Sequence, residues 1–211
     1  MDPDNRLIDR LAADLRPVRP QRPAAGGGLL LLGILATLLL VHLVFGLRVG
    51  TGLGSAQGGP WLGEALLAAL GLACAWAVIR MASPQYAART AAPWVLVAVL
   101  VPLAALVLAL LPGSPVQAPD GAWGHWRCGW WGGVSGLLVA AVLVYWLRRG
   151  APVLPGRAGL YVGLAAGAIG SAIFGLVCPS HDFHHWATWH FAPVLACAAL
   201  GRLLLPRFLR W

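Results

Sequence analysis

The chain has 211 residues, of which 59% are hydrophobic and only 10% are charged, whereas a soluble domain carries about a quarter of its residues as Asp, Glu, Lys and Arg. This composition predicts an all-α polytopic membrane protein, leaves no room for a separate soluble catalytic domain, and argues against an enzyme. The formal charge of +8 results from 15 arginines against seven acidic residues. The arginines are spread among the ends of apolar segments instead of forming one basic face, so direct binding of nucleic acid is not expected either.

Residues 1–27 form a predicted cytoplasmic segment. Four apolar side chains recur in it at helical spacing and indicate a short amphipathic helix: Leu7, Ile8, Leu11 and Leu15. Pro17 ends this helix, and Ala24 to Gly28 predict a flexible joint to the membrane. A helix of about 12 residues is marginal in water, so its apolar stripe needs a surface. Because four acidic residues accompany the stripe, we expect a protein partner in the cytoplasm, with the inner leaflet as the alternative surface.

Six apolar segments follow, each long enough to cross a hydrocarbon core of about 30 Å. They lie at 28–47, 61–80, 93–111, 129–147, 158–177 and 187–205, so residues 28–211 form a predicted bundle of six transmembrane helices. Thirteen arginines on one side against two on the other place both termini in the cytoplasm. We therefore expect a multi-pass protein of the bacterial inner membrane, surrounded by the lipid bilayer.

Small residues predict which helix faces meet inside the bundle. In the fifth span Gly159, Gly163 and Gly167 recur every four residues, and in the fourth span Gly132 and Gly136 do the same. Such stripes let helix backbones approach closely where lipid gives no hydrophobic drive for association. The alternative is a glycine-rich helix face exposed to lipid.

Under this topology all six histidines and two of the four cysteines fall toward the periplasm. Cys128 stands at the mouth of the fourth span and Cys178 at the end of the fifth, where two thiols can form a disulfide or bind a soft or borderline metal ion. Four histidines near the last outer loop are candidate further ligands for transient metal binding, although no cofactor is obligatory: His181, His184, His185 and His190. His181 and His185 would share a face if the loop is helical. The alternative is that these histidines are only interfacial polar residues.

Three other chemically reactive or charged side chains lie inside the apolar segments, and none is predicted to have a function. Cys74 and Cys197 lie deep in the second and sixth spans, where a thiol behaves as a small apolar group. Glu64 is the one acid inside an apolar run. Since no intramembrane partner can be assigned to it, we expect Glu64 to be hydrated near the outer boundary and to carry no function, with a role in an ion pathway as the alternative.

Three stretches together carry a resemblance to a known family: the leader LIDRLAADLRPVRP, the outer segment CPSHDFHHWATWH and the terminal GRLLLPRFLRW. With six spans between them, the chain resembles the NrsF family of bacterial membrane proteins over essentially its full length. The resemblance implies an anti-sigma factor whose N-terminal segment sequesters an extracytoplasmic-function sigma factor. It also implies release when heavy-metal or oxidative stress is sensed at periplasmic-side cysteines, which map to Cys128 and Cys178.

Two rival functions of other classes share the outer histidines. A small metal-ion transporter would need polar groups at mid-membrane, and the spans have almost none. A membrane redox protein could hold haem between His42 and His190 or cycle a cysteine pair, and a haem would colour the purified protein. We expect a regulator, in which a change at the outer thiols reaches the inner face through the glycine-lined helix contacts.

Overall fold

The computed structural model describes residues 8–9, 12–13, 21–46, 59–84, 122–178 and 185–209. Within these ranges every element of regular structure is helical, which confirms the predicted all-α class. In chain order the elements are α1 (Pro23–Phe45), α2 (Gly59–Met81), α3 (Ala122–Ser135), α4 (Leu137–Arg148), α5 (Pro155–Gly175), a π-helical turn (Trp186–His190), α6 (Ala192–Leu204) and α7 (Pro206–Leu209).

Five segments are long and apolar enough to cross a membrane, and each overlaps a predicted span. They are Pro23–Phe45, Gly63–Met81, Trp126–Arg148, Pro155–Gly175 and Trp186–Leu204. One of them joins α3 and α4 through Gly136, and another joins the π-helical turn to α6. The predicted span at 93–111 lies outside the described residues. The described helices therefore fit a helical membrane bundle.

The start of α1 differs from the sequence prediction. Ala24 to Gly28, expected to be a flexible joint, belong to the helix, so that prediction was wrong. Pro23 suits the first turn of a helix because its missing N–H would have no partner there. Gly26 faces the side chains of Trp146 and Ile79 so closely that a Cβ would lie 2.8 to 2.9 Å from them. Tertiary packing thus overrides the low helix propensity of the glycines.

The centre of the bundle is α5, whose residues are almost all buried from Ala158 to Phe174. It packs against α2, α3, α4 and α6. By contrast α1 lies at the edge and exposes a row of leucines, the face expected of a helix against lipid. That row includes Leu31, Leu32, Leu35, Leu39 and Leu43.

Glycines of α5 lie where it contacts α6. A Cβ at Gly159 would overlap the carbonyl of Gly201, and a Cβ at Gly163 would overlap the carbonyl of Cys197. A Cβ at Gly167 would lie 3.1 Å from the Cys197 side chain. The two helices therefore meet backbone to backbone, as small residues permit in lipid.

Glycines of the fourth span occupy the contact between α3 and α5. A Cβ at Gly132 would lie 3.1 Å from Ser171 Oγ, and a Cβ at Gly136 would overlap the carbonyl of Ala166. The predicted glycines of both spans thus sit on α5 contacts, which place α3 and α6 against the same central helix.

The bundle has two ends that differ in chemistry. At the tail end, defined by Gln21, Ile79 and Trp146, the Trp146 indole donates to the Ile79 carbonyl at 3.1 Å and the Gln21 amide donates to the Trp146 carbonyl at 3.4 Å. The cysteine end is defined by Glu64, Cys128 and Cys178. Glu64 precedes Ile79 by 15 residues on α2, which separates the two ends by about 22 Å along the helix.

Candidate metal and thiol site

The two predicted outer cysteines come together at the cysteine end. Cys128 lies on α3 and Cys178 follows the end of α5, and their Sγ atoms are 3.6 Å apart. Both are free thiols; Cys178 is buried and Cys128 is half-buried. A disulfide needs about 2.05 Å between the sulfurs, so the two sulfur atoms would have to move closer by about 1.5 Å to form one.

After α5 the backbone hydrogen bonds span three residues instead of four, up to Cys178. The Val177 amide donates to the Phe174 carbonyl at 3.0 Å and the Cys178 amide donates to the Gly175 carbonyl at 3.2 Å, the shorter repeat that commonly ends an α-helix.

The hydrogen bond with Cys128, followed by burial, raises the pKa of the Cys178 thiol, while hydrogen bonds with two histidines act in the opposite direction. The raised pKa favours the protonated Cys178 thiol, and a bound cation would favour its thiolate.

Two histidines at the start of the last span join the thiols. His185 Nε2 lies 3.3 Å from Cys178 Sγ, and the ring of His190 lies 5.5 Å from that of His185 between centroids. One ligand atom from each of Cys128, Cys178, His185 and His190 lies within 4.8 Å of all the others. We call these four residues the donor cluster.

The π-helical turn accounts for the convergence of two histidines that are five positions apart. An α-helix places residues three and four apart on one face, whereas a π-helical turn closes hydrogen bonds five residues apart. Pro193 follows in the first turn of α6 and lacks the N–H that would otherwise bond to the Trp189 carbonyl. The missing bond lies directly beside the widened turn, so Pro193 favours the π-helical geometry that brings His185 and His190 together.

Glu64 reaches the donor cluster from α2. Its Oε1 lies 3.2 Å from His190 Nδ1, and the two side chains are only 13% and 3% exposed. Gly175 makes room for the carboxyl group, since a Cβ there would overlap it. The expectation that Glu64 is hydrated and unpartnered was therefore wrong. Its partner lies 126 residues further along the chain, on the last span, where no local pattern could indicate it.

Other predicted site residues fall elsewhere. His181 and His184 lie outside the described residues, as do Leu7, Leu11 and Leu15 of the N-terminal segment. Ile8 is helical and 61% exposed, and residues 12–13 are helical as well.

The remaining cysteines and His42 lie apart from the donor cluster. Cys74 is fully buried in α2, and Cys197 packs on α5 at Gly163. His42 is exposed on α1, whereas His190 is buried beside Glu64. The pairing of His42 with His190 around a haem therefore gains no support from this arrangement.

Comparison with known proteins identifies the family. The family model described as "Negative regulator of sigma F" matches residues 11–211. The chain belongs to the NrsF family. This confirms the resemblance found in the sequence, and the matched region includes the whole donor cluster and Glu64.

Two curated NrsF relatives cover most of the chain. The anti-sigma-F factor NrsF of Caulobacter vibrioides (strain NA1000 / CB15N) is 35% identical over an alignment of 216 residues that covers 97% of this chain and 98% of that protein. The probable anti-sigma-F factor NrsF of Azospira oryzae (strain ATCC BAA-33 / DSM 13638 / PS) is 29% identical over an alignment of 184 residues that covers 83% of each chain. No solved structure matches the chain. Both names are those of regulators and neither denotes an enzyme.

Proposed function

We propose that this NrsF-family chain is a membrane anti-sigma factor that sequesters an extracytoplasmic-function sigma factor through its cytoplasmic N-terminal segment. Heavy-metal or oxidative stress at Cys128 and Cys178 then releases the sigma factor. One observation carries the sensing part: the two thiols, 50 positions apart in sequence, lie 3.6 Å from each other at the cysteine end. The names of the relatives support the anti-sigma part.

The N-terminal segment has the features of a helix that binds in a groove. Its described residues are helical, and Ile8 presents an exposed apolar side chain. With Leu7, Leu11 and Leu15 at helical spacing, the segment offers a narrow apolar stripe of the kind that anchors an amphipathic helix in a partner. Residues 1–27 are therefore the proposed sigma-binding segment, and residues 28–211 are the proposed membrane sensor.

A continuous path joins the thiols to this segment. Cys128 lies on α3, which continues through Gly136 into α4 and reaches Trp146 at the tail end. Trp146 is hydrogen-bonded to Ile79 of α2 and to Gln21, two residues before α1. A shift of Cys128 relative to Cys178 would therefore displace α3 against α5 and be passed along α3 and α4 to Gln21, near the end of the N-terminal segment.

Release of the sigma factor requires a free-energy difference between the holding and the releasing state, which a disulfide or a metal site can supply. Moving a two-state equilibrium from 1:99 to 99:1 takes about 5.5 kcal/mol. A disulfide typically contributes about 2–4 kcal/mol, while a structural zinc site contributes about 10–16 kcal/mol. Either event therefore drives release only through the part of its free energy that differs between the holding and the releasing state.

A metal-ion transporter receives less support from the described spans. Their buried polar side chains are Thr37, Ser171, His185 and His190, with Glu64 beside the last of these. Thr37 donates to the Gly33 carbonyl of its own helix at 2.8 Å, so it is internally satisfied. The remaining groups gather toward one end instead of forming a path across the bundle.

The proposal is tested by co-purification. The full chain is isolated from native membranes with its bound soluble proteins, and Cd²⁺ or hydrogen peroxide is then added. We expect a sigma factor to be recovered and to leave on either treatment. In a Cys128→Ser/Cys178→Ser variant the sigma factor should stay bound, whereas Cys74→Ser/Cys197→Ser should release it as the unaltered chain does. Absence of any sigma factor refutes the anti-sigma role, and release from the Cys128→Ser/Cys178→Ser variant refutes sensing at these thiols.

A further inference from the structure

We propose that the donor cluster is a single tetrahedral site for one soft or borderline divalent cation, Zn²⁺ or Cd²⁺, and that Glu64 is the carboxylate that positions His190 toward the ion. The biological meaning of this site rests on the proposed function. Its chemistry rests only on described residues, so it can be tested apart from any sigma factor.

The distances fit a tetrahedral ion. With Zn–S near 2.3 Å and Zn–N near 2.0–2.1 Å, neighbouring ligand atoms of a tetrahedral site are separated by about 3.3–3.8 Å. Cys128 Sγ and Cys178 Sγ are 3.6 Å apart, and Cys178 Sγ and His185 Nε2 are 3.3 Å apart. The ligand atoms of all four residues stay within 4.8 Å of one another. Small side-chain rotations therefore suffice to close the set around an ion.

The chemistry and burial of the donors select the class of ion. Two thiolates and two imidazoles suit zinc and cadmium, whereas magnesium and calcium require oxygen ligands. Cys178, His185 and His190 are between 2% and 6% exposed. Four protein donors in a mostly buried setting describe a closed binding site and leave no open position for a reacting water.

Glu64 supplies the outer partner that such a site needs. A metal-binding histidine usually donates its second ring N–H to a carboxylate or a carbonyl, which fixes the tautomer and the direction of the ring. Glu64 Oε1 lies 3.2 Å from His190 Nδ1, within reach of this hydrogen bond once the imidazole turns toward the carboxylate, and that bond would leave His190 Nε2 for the ion. Glu64 Oε2 is buried and accepts no hydrogen bond from the described residues. A cation in the adjacent donor cluster would compensate the charge of this poorly solvated carboxylate.

The site would connect elements that are distant in sequence. Cys128 belongs to α3 and Cys178 follows α5. His185 directly precedes the π-helical turn and His190 ends it, while Glu64 belongs to α2. Ion binding therefore fixes the relative positions of these elements at the cysteine end.

The experiment is metal titration of the purified, reduced full chain in detergent. Cd²⁺ binding is followed by thiolate-to-metal absorption in the ultraviolet, and Co²⁺ by its visible bands, which are intense in tetrahedral sites. We expect one ion per chain. His185→Gln and His190→Gln should weaken binding and change the Co²⁺ bands, and Glu64→Gln should weaken affinity about 10- to 100-fold at unchanged stoichiometry. His42→Gln and Cys197→Ser are the matched controls and should bind as the unaltered chain does.

A second readout separates positioning by Glu64 from a merely structural role. Nitrogen NMR of the zinc-loaded chain should show His190 protonated at Nδ1, and Glu64→Gln should change that tautomer population while the fold, checked by circular dichroism, is kept. Zinc should also protect Cys128 and Cys178 of the otherwise unaltered chain from alkylation, a measurement that needs no histidine variant.

The outcomes distinguish this inference from the proposed function. The four-donor site is overturned if no ion binds, if zinc does not protect the thiols, or if both histidine variants bind the ion as tightly as the unaltered chain. Release of a sigma factor through the thiols could still hold in each of these cases. An unchanged affinity and tautomer in Glu64→Gln overturns the positioning role. Metal binding as described, in a chain that retains no sigma factor, overturns the proposed function and leaves the site intact.

Discussion

At the scale of single residues, Gly175 sets the position of Glu64. The carboxyl group occupies the space that a Cβ at Gly175 would fill, and from there it faces His190. Gly175→Ala should displace the carboxyl group and weaken Cd²⁺ binding to about the level of Glu64→Gln, without removing a donor. Gly156→Ala is the control, because open space surrounds Gly156 near the other end of α5. Wild-type affinity in Gly175→Ala would contradict this account.

The two thiols could be predicted as site residues from the sequence, but the carboxylate beside His190 could not. Cys128 and Cys178 stood out because thiols on the periplasmic side have few uses other than a disulfide or a metal. Glu64 had no such context, since its proximity to His190 depends on how α2 packs on α5 and the last span. Long-range packing of this kind leaves no local pattern in the sequence.

At the scale of elements, the π-helical turn decides which histidines meet. Pro193→Ala restores an N–H that can bond to the Trp189 carbonyl, so the turn should close toward α-helical geometry. His185 and His190 would then diverge, because residues five apart do not share a face of an α-helix. We expect weaker Cd²⁺ binding and Co²⁺ bands that indicate the loss of one nitrogen.

The control for this prediction is another proline in the first turn of a helix. Pro155 begins α5 with no widened turn before it, so Pro155→Ala should leave metal binding unchanged. Equal binding by Pro193→Ala and the unaltered chain would show that the turn does not depend on the proline.

Hydropathy predicted the described spans well because each must cover the same hydrocarbon thickness. It could not reveal a change of helical repeat inside a span. The sequence therefore offered His181 and His185, four apart, as a pair on one face, whereas the structure pairs His185 with His190 across the π-helical turn. The start of α1 was also not predictable from hydropathy, because it depends on tertiary contacts. Contacts of Gly26 with α2 and α4 extend the helix into a glycine-rich segment.

At the scale of the whole molecule, the proposed signal depends on close helix packing. Glycines of α5 bring the backbones of α3 and α6 against it, so a shift of α3 against α5 would occur along a glycine-lined contact. Such stripes could be found in the sequence because small residues are the main determinants of helix association in lipid. Their exact partners, such as Gly163 with Cys197, depend on the three-dimensional arrangement.

The sidedness of the two ends gives the last prediction. The arginine distribution predicts that the tail end lies in the cytoplasm, so the cysteine end, about 22 Å away, should face the periplasm. In intact, reductant-treated cells a membrane-impermeant thiol reagent should label the half-buried Cys128 in a Cys74→Ser/Cys197→Ser background. In the same background with both outer cysteines also changed to serine, Arg22→Cys places an exposed thiol just before α1 and should be labelled only after the inner membrane is opened. The reverse pattern would invert the chain and put the thiols in the compartment of the sigma factor, leaving no membrane for a signal to cross.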